Sequence, residues 1–413
     1  MKIAHFSWEF PPVIYGGLGT FATEITQKQV SLGNEVSVFS LNPDNSLNTY
    51  EKWSNIDVYR PKTLDLSSMF YQFANYELRS WGDNFKFFSD VISYNMMSSS
   101  LLVNSLVRKD GNNFDIIDAH DWLGITGGMI AKKEIGLPLI FHVHSTEVGR
   151  SIGRGSHAIK DIEFEGGQAA DGVITVSYAM ADELQKLGFP PDKIRVCWNG
   201  VDPNKYDPSK ISLDEKLQLR RGYGINDDEH LVFFVGRLVT VKGVDNLVKA
   251  MPYIVEEFPK TKLVVLGIGD MEHDLRNIAN DLGVQNNIIF RNEFVSEKER
   301  ITHYAASDSV VLPSLYEPFG IVSTEAMSMA KPVVVGARGT NGMREQIIPS
   351  GDKQSGIHIN PYDPRDIAWG VKLILGNPEE SIQMGKNARD RAVDTFSWDA
   401  VTKRTLDIYN EFI

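Results

Sequence analysis

Short apolar runs alternate with longer amphipathic stretches along almost the whole chain. KIAHFSW opens it, a helical pattern covers residues 21–32, and EVSVFSL follows. Apolar runs of this length become strands buried on both faces, and the amphipathic stretches become the helices that cover them, the pattern of βαβ units in parallel sheets. Further strands are expected at 116–119, 139–142, 172–176 and 194–197, which completes one doubly wound domain. After NGVDPNKYDPS, a stretch at 199–209 rich in turn formers that reads as a linker, a second series begins: LVFFVG, KLVVLG, NIIFR, SVVLPS and PVVVG. The same architecture is built twice, as a likeness of pattern and not as a sequence repeat.

This reading predicts an α/β protein of two Rossmann-like domains. One spans 1–205 and the other 206–395, with a final helix within 396–413 crossing back to the first. The length of 413 residues accommodates two such cores, since a domain takes about 100–200 residues. An aromatic-rich segment at 63–97, beginning TLDLSSMFYQFANYELRSWGDNFKFF, interrupts the first series. It reads either as an extra helical pair with a small core of its own or as a platform on whose rings a sugar acceptor stacks.

Charge and cysteine narrow the chemistry. With 42 Lys and Arg against 54 Asp and Glu the chain carries −12, which repels a phosphate backbone, so nucleic acid is not expected as a partner. Cys197 is the only cysteine, which excludes an intrachain disulfide and a thiolate metal cage and suits a reducing cytoplasm. MKIAHF runs straight into a strand pattern, so no secretion signal is expected, and no apolar run approaches the ~20 residues of a membrane span.

The densest chemical signal is EPFGIVSTE, Glu317 to Glu325, directly after SVVLPS and leading into a helix. Ligands of doubly wound sheets bind at the carboxyl ends of strands, where a helix N-terminus offers free N–H groups to phosphate. Gly320 and Ile321 would present those amides beside Phe319. Glu317 would accept from the transferred sugar and Glu325 from the nucleotide ribose. The plainer reading is a helix start with acidic residues in its first turn. Arg237 and Lys242 follow the strand LVFFVG and precede a helix, a placement in which two cations clamp a diphosphate and stabilise it as a leaving group. The alternative is an exposed pair on a polar loop.

In the first domain WEFPPVIYGGLGTF places Gly16, Gly17 and Gly19 between strand and helix, where backbone amides can face a phosphate. Gly17, Gly19 and Ala22 also match a dinucleotide fingerprint, which would imply an oxidoreductase. A long run with two prolines precedes the glycines, however, and Ser40 and Asn42 stand where an acid would close the second strand. Two histidine sites lie at expected strand ends: DAHDW, with His120, Asp121 and Trp122, and HVHSTEVGR, with His142, His144, Glu147 and Arg150. A neutral imidazole there can donate to a sugar hydroxyl or shield charge at the anomeric carbon, and it can equally be a satisfied structural group. His120, Asp121, Trp122 and Glu9 are the candidates for acceptor or sugar contact. No Asp-x-Asp triplet occurs, so no metal is expected on the diphosphate, and no cofactor is called for beyond a nucleotide-sugar substrate.

Together these motifs resemble the retaining GT-B glycosyltransferases, the group of glycogen and starch synthases, sucrose-phosphate synthases and many mannosyl- and glucosyltransferases. The resemblance runs the length of the chain and is carried most specifically by the two glutamates with Pro-Phe-Gly after the first. It implies that Glu317 and Glu325 hold sugar and ribose and that Arg237 and Lys242 hold the diphosphate; of the histidines, His144 is the catalytic candidate. HDW, HSTEVGR and NGVD look most like the shorter glycogen synthases, which implies transfer of glucose from ADP-glucose or UDP-glucose to an α-1,4-glucan. One position departs from that pattern: its lysine would fall where Ile14 stands. GDP-mannose or UDP-N-acetylglucosamine as donor, with a lipid or small-molecule acceptor, therefore stays open. The group also implies retention without a covalent intermediate on Asp121 or Glu9, by same-face attack assisted by the departing phosphate.

Overall fold

Two sheets account for the apolar runs. The computed structural model describes residues 1–82 and 84–413. The chain divides into two units, Met1–Trp198 with Val401–Ile413, and Asn199–Ala400. In the first, β1 (Lys2–Phe6), β2 (Glu35–Phe39), β3 (Tyr50–Trp53), β4 (Ile56–Tyr59), β5 (Ile116–His120), β6 (Leu139–Val143), β7 (Gly172–Thr175) and β8 (Ile194–Val196) lie in the order β3-β4-β2-β1-β5-β6-β7-β8. In the second, β9 (His230–Val235), β10 (Thr261–Leu266), β11 (Ile288–Arg291), β12 (Ser309–Leu312), β13 (Val333–Gly336) and β14 (Gly356–Ile359) lie in the order β11-β10-β9-β12-β13-β14. Pairing is parallel wherever the apolar runs meet, as between β1 and β5 or β9 and β12.

Every expected strand forms; β3, β4 and β14 were not anticipated. β3 and β4 make an antiparallel pair at the sheet edge, where YEKW and IDVY alternate instead of running apolar, and GIHI in β14 holds only two large apolar residues. The segment around 63–97 is helical, with helices at Ser67–Phe73, Tyr76–Arg79 and Asn84–Ser100. It does not make a separate core: Val91 and Tyr94 pack with Trp8 and Trp122 of the first unit. The final helix, Trp398–Tyr409, enters the first unit from Val401 onward. There the Tyr409 hydroxyl donates to the Asp118 carboxylate and Arg195 pairs with Glu411 at 2.8 Å.

Each sheet reverses its winding once. In the second unit the chain runs outward from β9 through β10 to β11, then returns to the other side of β9 as β12. The loops that leave β9 and β12 therefore diverge to opposite faces and leave a crevice between them, the place where open α/β sheets bind ligands. The first unit has its reversal between β1 and β5.

Gly243 holds the second crevice closed at its base. It starts the helix Val244–Glu257 with φ +62°, and a Cβ there would overlap the Pro313 carbonyl oxygen. A left-handed backbone costs a side-chain-bearing residue about 1–3 kcal/mol before any clash. Gly243→Ala is expected to lower the melting temperature of the folded chain by several degrees. A melting curve unchanged from wild type would show that the two loops do not approach as closely as described.

Candidate functional site: two strand-end crevices

At the reversal in the second unit, Lys242 from the β9 loop meets Glu317 from the β12 loop. The ammonium donates to the Glu317 carboxylate, and both side chains are largely buried. The loops are laced together by Leu315 N–H to the Val241 carbonyl at 2.8 Å. Glu317 is fixed from a third side, its N–H donating to Thr340 O at 3.0 Å and its carbonyl accepting from Gly342 N–H at 2.8 Å. Gly320 follows with φ +88°, a conformation open to glycine and poor for other residues, and the helix Ile321–Ser328 starts from it. A Cβ on Gly320 would meet Met343 Cγ at 2.7 Å, so the turn is tight as well as left-handed. The helix N-terminus, the ammonium and the carboxylate thus share one crevice mouth. Arg237 lies exposed on the β9 loop.

Glu325, one helical turn further on, is buried and fully engaged. It accepts from the Tyr206 hydroxyl at 2.7 Å, the Tyr304 hydroxyl at 2.8 Å and Arg300 at 3.1 Å. Burial first, and then the Glu325 charge, push both phenols up from their ordinary value. Burial works against the Arg300 charge, but Glu325, Tyr304 and Tyr206 outweigh it and hold the guanidinium above its usual range. A ribose hydroxyl would reach this carboxylate only by sharing or displacing one of these donors. Phe319 is buried too, its ring edge-on to Phe396 at 5.9 Å, so it offers backbone rather than side chain to a ligand. Tyr206, Arg300 and Tyr304 escaped sequence reading. Tyr206 sits in what reads as a linker, a stretch rich in turn formers.

In the first unit the glycine turn follows β1 and is held by Glu9. One oxygen of its carboxylate accepts from the N–H groups of Tyr15 and Gly16 at 2.9 Å and of Gly19 at 3.2 Å. Glu9 therefore caps the start of the helix Gly17–Ser31. Of the three glycines expected to face a phosphate, Gly16 and Gly19 already donate to Glu9, whereas Gly17 lies exposed in the first helical turn.

Strand register gathers the histidines. His5 on β1 is level with Asp118 on β5, and His120 on β5 with His142 on β6. Because side chains repeat every second residue on one face, Asp118 and His120, and His142 and His144, point to the same side. That side lies beneath the helix Gly17–Ser31, whose Phe21 ring stands 4.7 Å from the rings of both His142 and His144. His120 is wholly buried and touches His5 and His144 through its two ring nitrogens, at 3.1 and 3.2 Å. His144, by contrast, is only partly buried. Trp122 packs against Phe87 and Phe88 of the aromatic segment. Asp121, at φ +51°, accepts from the N–H groups of His144 and Ser145 at 2.7 and 3.3 Å, so it shapes the turn that carries His144.

Ligand-capable atoms of His120, His142 and His144, and of His5, Asp118 and His120, lie within 4.8 Å of one another. An imidazole binds a metal in its ring plane. The His142 and His144 rings stack at 4.6 Å with 7° between their planes, so their lone pairs do not converge on one ion. The cluster is built as a hydrogen-bonded stack. Burial pushes His120 down to about 3 against the pull of Asp118, and lowers His5 and His144 as well, so all three are neutral near pH 7.

Glu163 closes the turn that follows His144. It accepts from Glu147 N–H at 2.9 Å and faces Arg150 at 3.5 Å. Burial pushes its carboxyl up to about 8, against the lowering influence of Arg150. Folded and unfolded chains are both protonated there below the unfolded value of 4.5. As pH rises from that value to about 8 the unfolded chain releases a proton that the folded chain keeps, so stability is lost across this window. Glu163→Gln is expected to raise the melting temperature near pH 8.5 and to leave it unchanged near pH 4.5. An equal shift at both pH values would contradict the raised carboxyl.

Two family models match the chain in succession, one described as Glycosyltransferase Family 4 over residues 15–205 and one as Glycosyl transferases group 1 over 215–391. An uncharacterized glycosyltransferase of Methanocaldococcus jannaschii is 33% identical, over 99% of this chain and 98% of that protein. Glycogen synthase of Mycobacterium tuberculosis is 26% identical, over 99% and 94%. D-inositol 3-phosphate glycosyltransferase of Thermomonospora curvata is 27% identical, over 95% and 90%. Among solved structures, sucrose-phosphate synthase of Thermosynechococcus elongatus superposes with a TM-score of 0.78 at 21% identity, covering 99% and 98% of the two chains. Anabaena HepE in complex with UDP and glucose gives 0.74 at 20%, over the whole of both. The catalytic domain of starch synthase IV of Arabidopsis thaliana, bound to ADP and acarbose, gives 0.74 at 16%, over 99% of each. These matches set aside the oxidoreductase reading of the glycine turn. Two parallel α/β units, a glutamate and a lysine brought together at a sheet reversal, and relatives spanning nearly the whole length make this chain a member of the GT-B glycosyltransferases.

Proposed function

We propose that the protein is a retaining, metal-independent glucosyltransferase that moves glucose from UDP-glucose or ADP-glucose to the non-reducing end of an α-1,4-glucan. The observation that carries this reading is the meeting of Lys242 and Glu317 beside the N-terminus of the helix Ile321–Ser328. On donor binding the Lys242 ammonium turns from the carboxylate to the diphosphate, with Arg237 as the second cation and the Gly320 and Ile321 amides as further donors. Glu317, released from the lysine, accepts from hydroxyls of the transferred glucose. Glu325 takes the ribose. As the glycosidic bond to phosphate breaks, negative charge grows on the leaving diphosphate, and Lys242 and Arg237 stabilise it in place of a metal.

The roles proposed in the first unit are the glycine turn at Gly16 and Gly17 toward phosphate and neutral His144 toward the sugar. Retention follows from attack on the face that the phosphate leaves, with the departing oxygen accepting the acceptor's proton. Asp121 and Glu9 are both spent on backbone amides, which supports a route without a covalent intermediate on either. The glucan acceptor and the nucleotide draw support from the glycogen synthase relative and from the bound UDP and ADP of HepE and starch synthase IV. The inositol phosphate glycosyltransferase relative supports a second reading, transfer to a small polar acceptor by the same donor machinery.

Lys242→Ala is expected to slow transfer about 10²–10³-fold, and Glu317→Ala to bring it near background, each with a wild-type melting curve. Normal rates in folded Glu317→Ala would refute its role. In a screen of UDP-glucose, ADP-glucose, UDP-N-acetylglucosamine and GDP-mannose, with and without glycogen, release of nucleotide is expected only from the two glucose donors and to rise with glycogen. Preference for GDP-mannose would overturn the glucan-synthase reading.

A further inference from the structure

The proposed chemistry uses His144 and leaves unused the buried polar groups behind it: His120, His5, Gln29 and Asp118. A neutral imidazole has one donor and one acceptor nitrogen, so a chain of them has a direction, which is set wherever it ends on a group that can only accept. This chain ends on Gln29 Oε1, 2.8 Å from His5 Nε2. His5 Nε2 therefore carries the proton, and His5 Nδ1 a lone pair. His120 Nε2, 3.1 Å from that lone pair, must donate. Asp118 Oδ2, an acceptor only, stands 3.7 Å from this nitrogen and 3.6 Å from His5 Nδ1, so it faces the shared proton without choosing between the rings, and the direction is set at Gln29 Oε1. His120 Nδ1 is then the acceptor for His144 Nε2 at 3.2 Å.

Apart from Asp118, which faces both nitrogens of the His5–His120 bond, the groups around the chain do not compete. His142 gives its Nδ1 side to Asp118 at 3.3 Å, Tyr409 donates to the same carboxylate, and Asp121 is engaged by backbone N–H groups. Phe21 covers the rings edge-on. Burial keeps His5, His120 and His144 neutral, which the directional argument requires.

We propose that this buried chain fixes His144 as the Nε2–H tautomer, so that Nδ1 is offered as a lone-pair acceptor to a hydroxyl of the substrate sugar. His120, His5 and Gln29 are positioning residues that act through His144. The proposal rests on the reading that His144 acts at the sugar. It makes the first unit selective for a hydroxyl donor at that point over a carbonyl or ether oxygen, which can only accept.

The test is nitrogen NMR of the full chain labelled with ¹⁵N-histidine, ligand-free, with two-bond proton correlations assigned by single His→Gln variants. His5, His120 and His144 are expected each to show a protonated Nε2 and a bare Nδ1 from pH 7 to 8. A protonated Nδ1 on His144, which turning the Gln29 amide end for end would produce, overturns the proposal, as does a cationic His144 in that range. In His120→Phe the His144 signals are expected to split between tautomers and kcat to fall about tenfold, with donor KM held. Wild-type kcat with a single His144 tautomer in that folded variant would remove the positioning role; if the variant fails to fold, the wild-type spectrum decides. A correct tautomer in a protein that transfers no sugar would leave the chain standing while the functional reading fell, and an active enzyme with Nδ1–H would sink the chain alone.

Discussion

Everything in the second unit depends on how closely the loops after β9 and β12 approach. Parallel strands that leave the centre of a sheet in opposite directions open a crevice at their carboxyl ends, and here its base is closed by Gly243 lying on the Pro313 carbonyl. Nothing larger than glycine fits that contact. It places Lys242 and Glu317 within bonding reach although they are far apart in the chain. Without an anion the ammonium rests on the carboxylate. The pair therefore sits at the crevice mouth partly shielded from water.

The first unit solves a different problem with the same sheet logic. Its reversal falls between β1 and β5, and register sets Asp118, His120, His142 and His144 on one face under a single helix. Burying imidazoles is costly where their nitrogens lack partners. Gln29 supplies the partner of His5 and Tyr409 donates to Asp118, from helices at opposite ends of the sequence, while His142 Nε2 is left without one. The last helix, which brings Tyr409, is thus tied chemically as well as by packing to the unit it rejoins.

Much of this was legible in the sequence because apolar runs in parallel sheets are buried on both faces and stand out from the amphipathic helices between them. The edge strands β3 and β4 were not, since YEKW and IDVY carry an alternation that a turn-rich stretch also shows. Glu317, Gly320 and Lys242 could be picked out because strand-end loops before helices have few ways to use a glycine next to a charge. Tyr206, Arg300 and Tyr304 could not, because their meeting with Glu325 depends on three-dimensional packing that no local pattern encodes. The histidines show an intermediate case. His120 and His144 were noticed as polar residues at strand ends, whereas Gln29 and His5 gain meaning only from register. Polar residues within the last three positions of successive apolar strands, as in KIAHF, IIDAH and LIFHV, are the signal that would have found the cluster's strand residues.

The central claim is that the crevice between the β9 and β12 loops receives the donor's diphosphate. The most direct measurement is a crystal structure with UDP-glucose or ADP-glucose bound. The account predicts phosphate oxygens within hydrogen-bond distance of Lys242 Nζ and of the Gly320 and Ile321 amides, with the Lys242 to Glu317 contact broken. A nucleotide bound away from this crevice, with that ion pair intact, would contradict it.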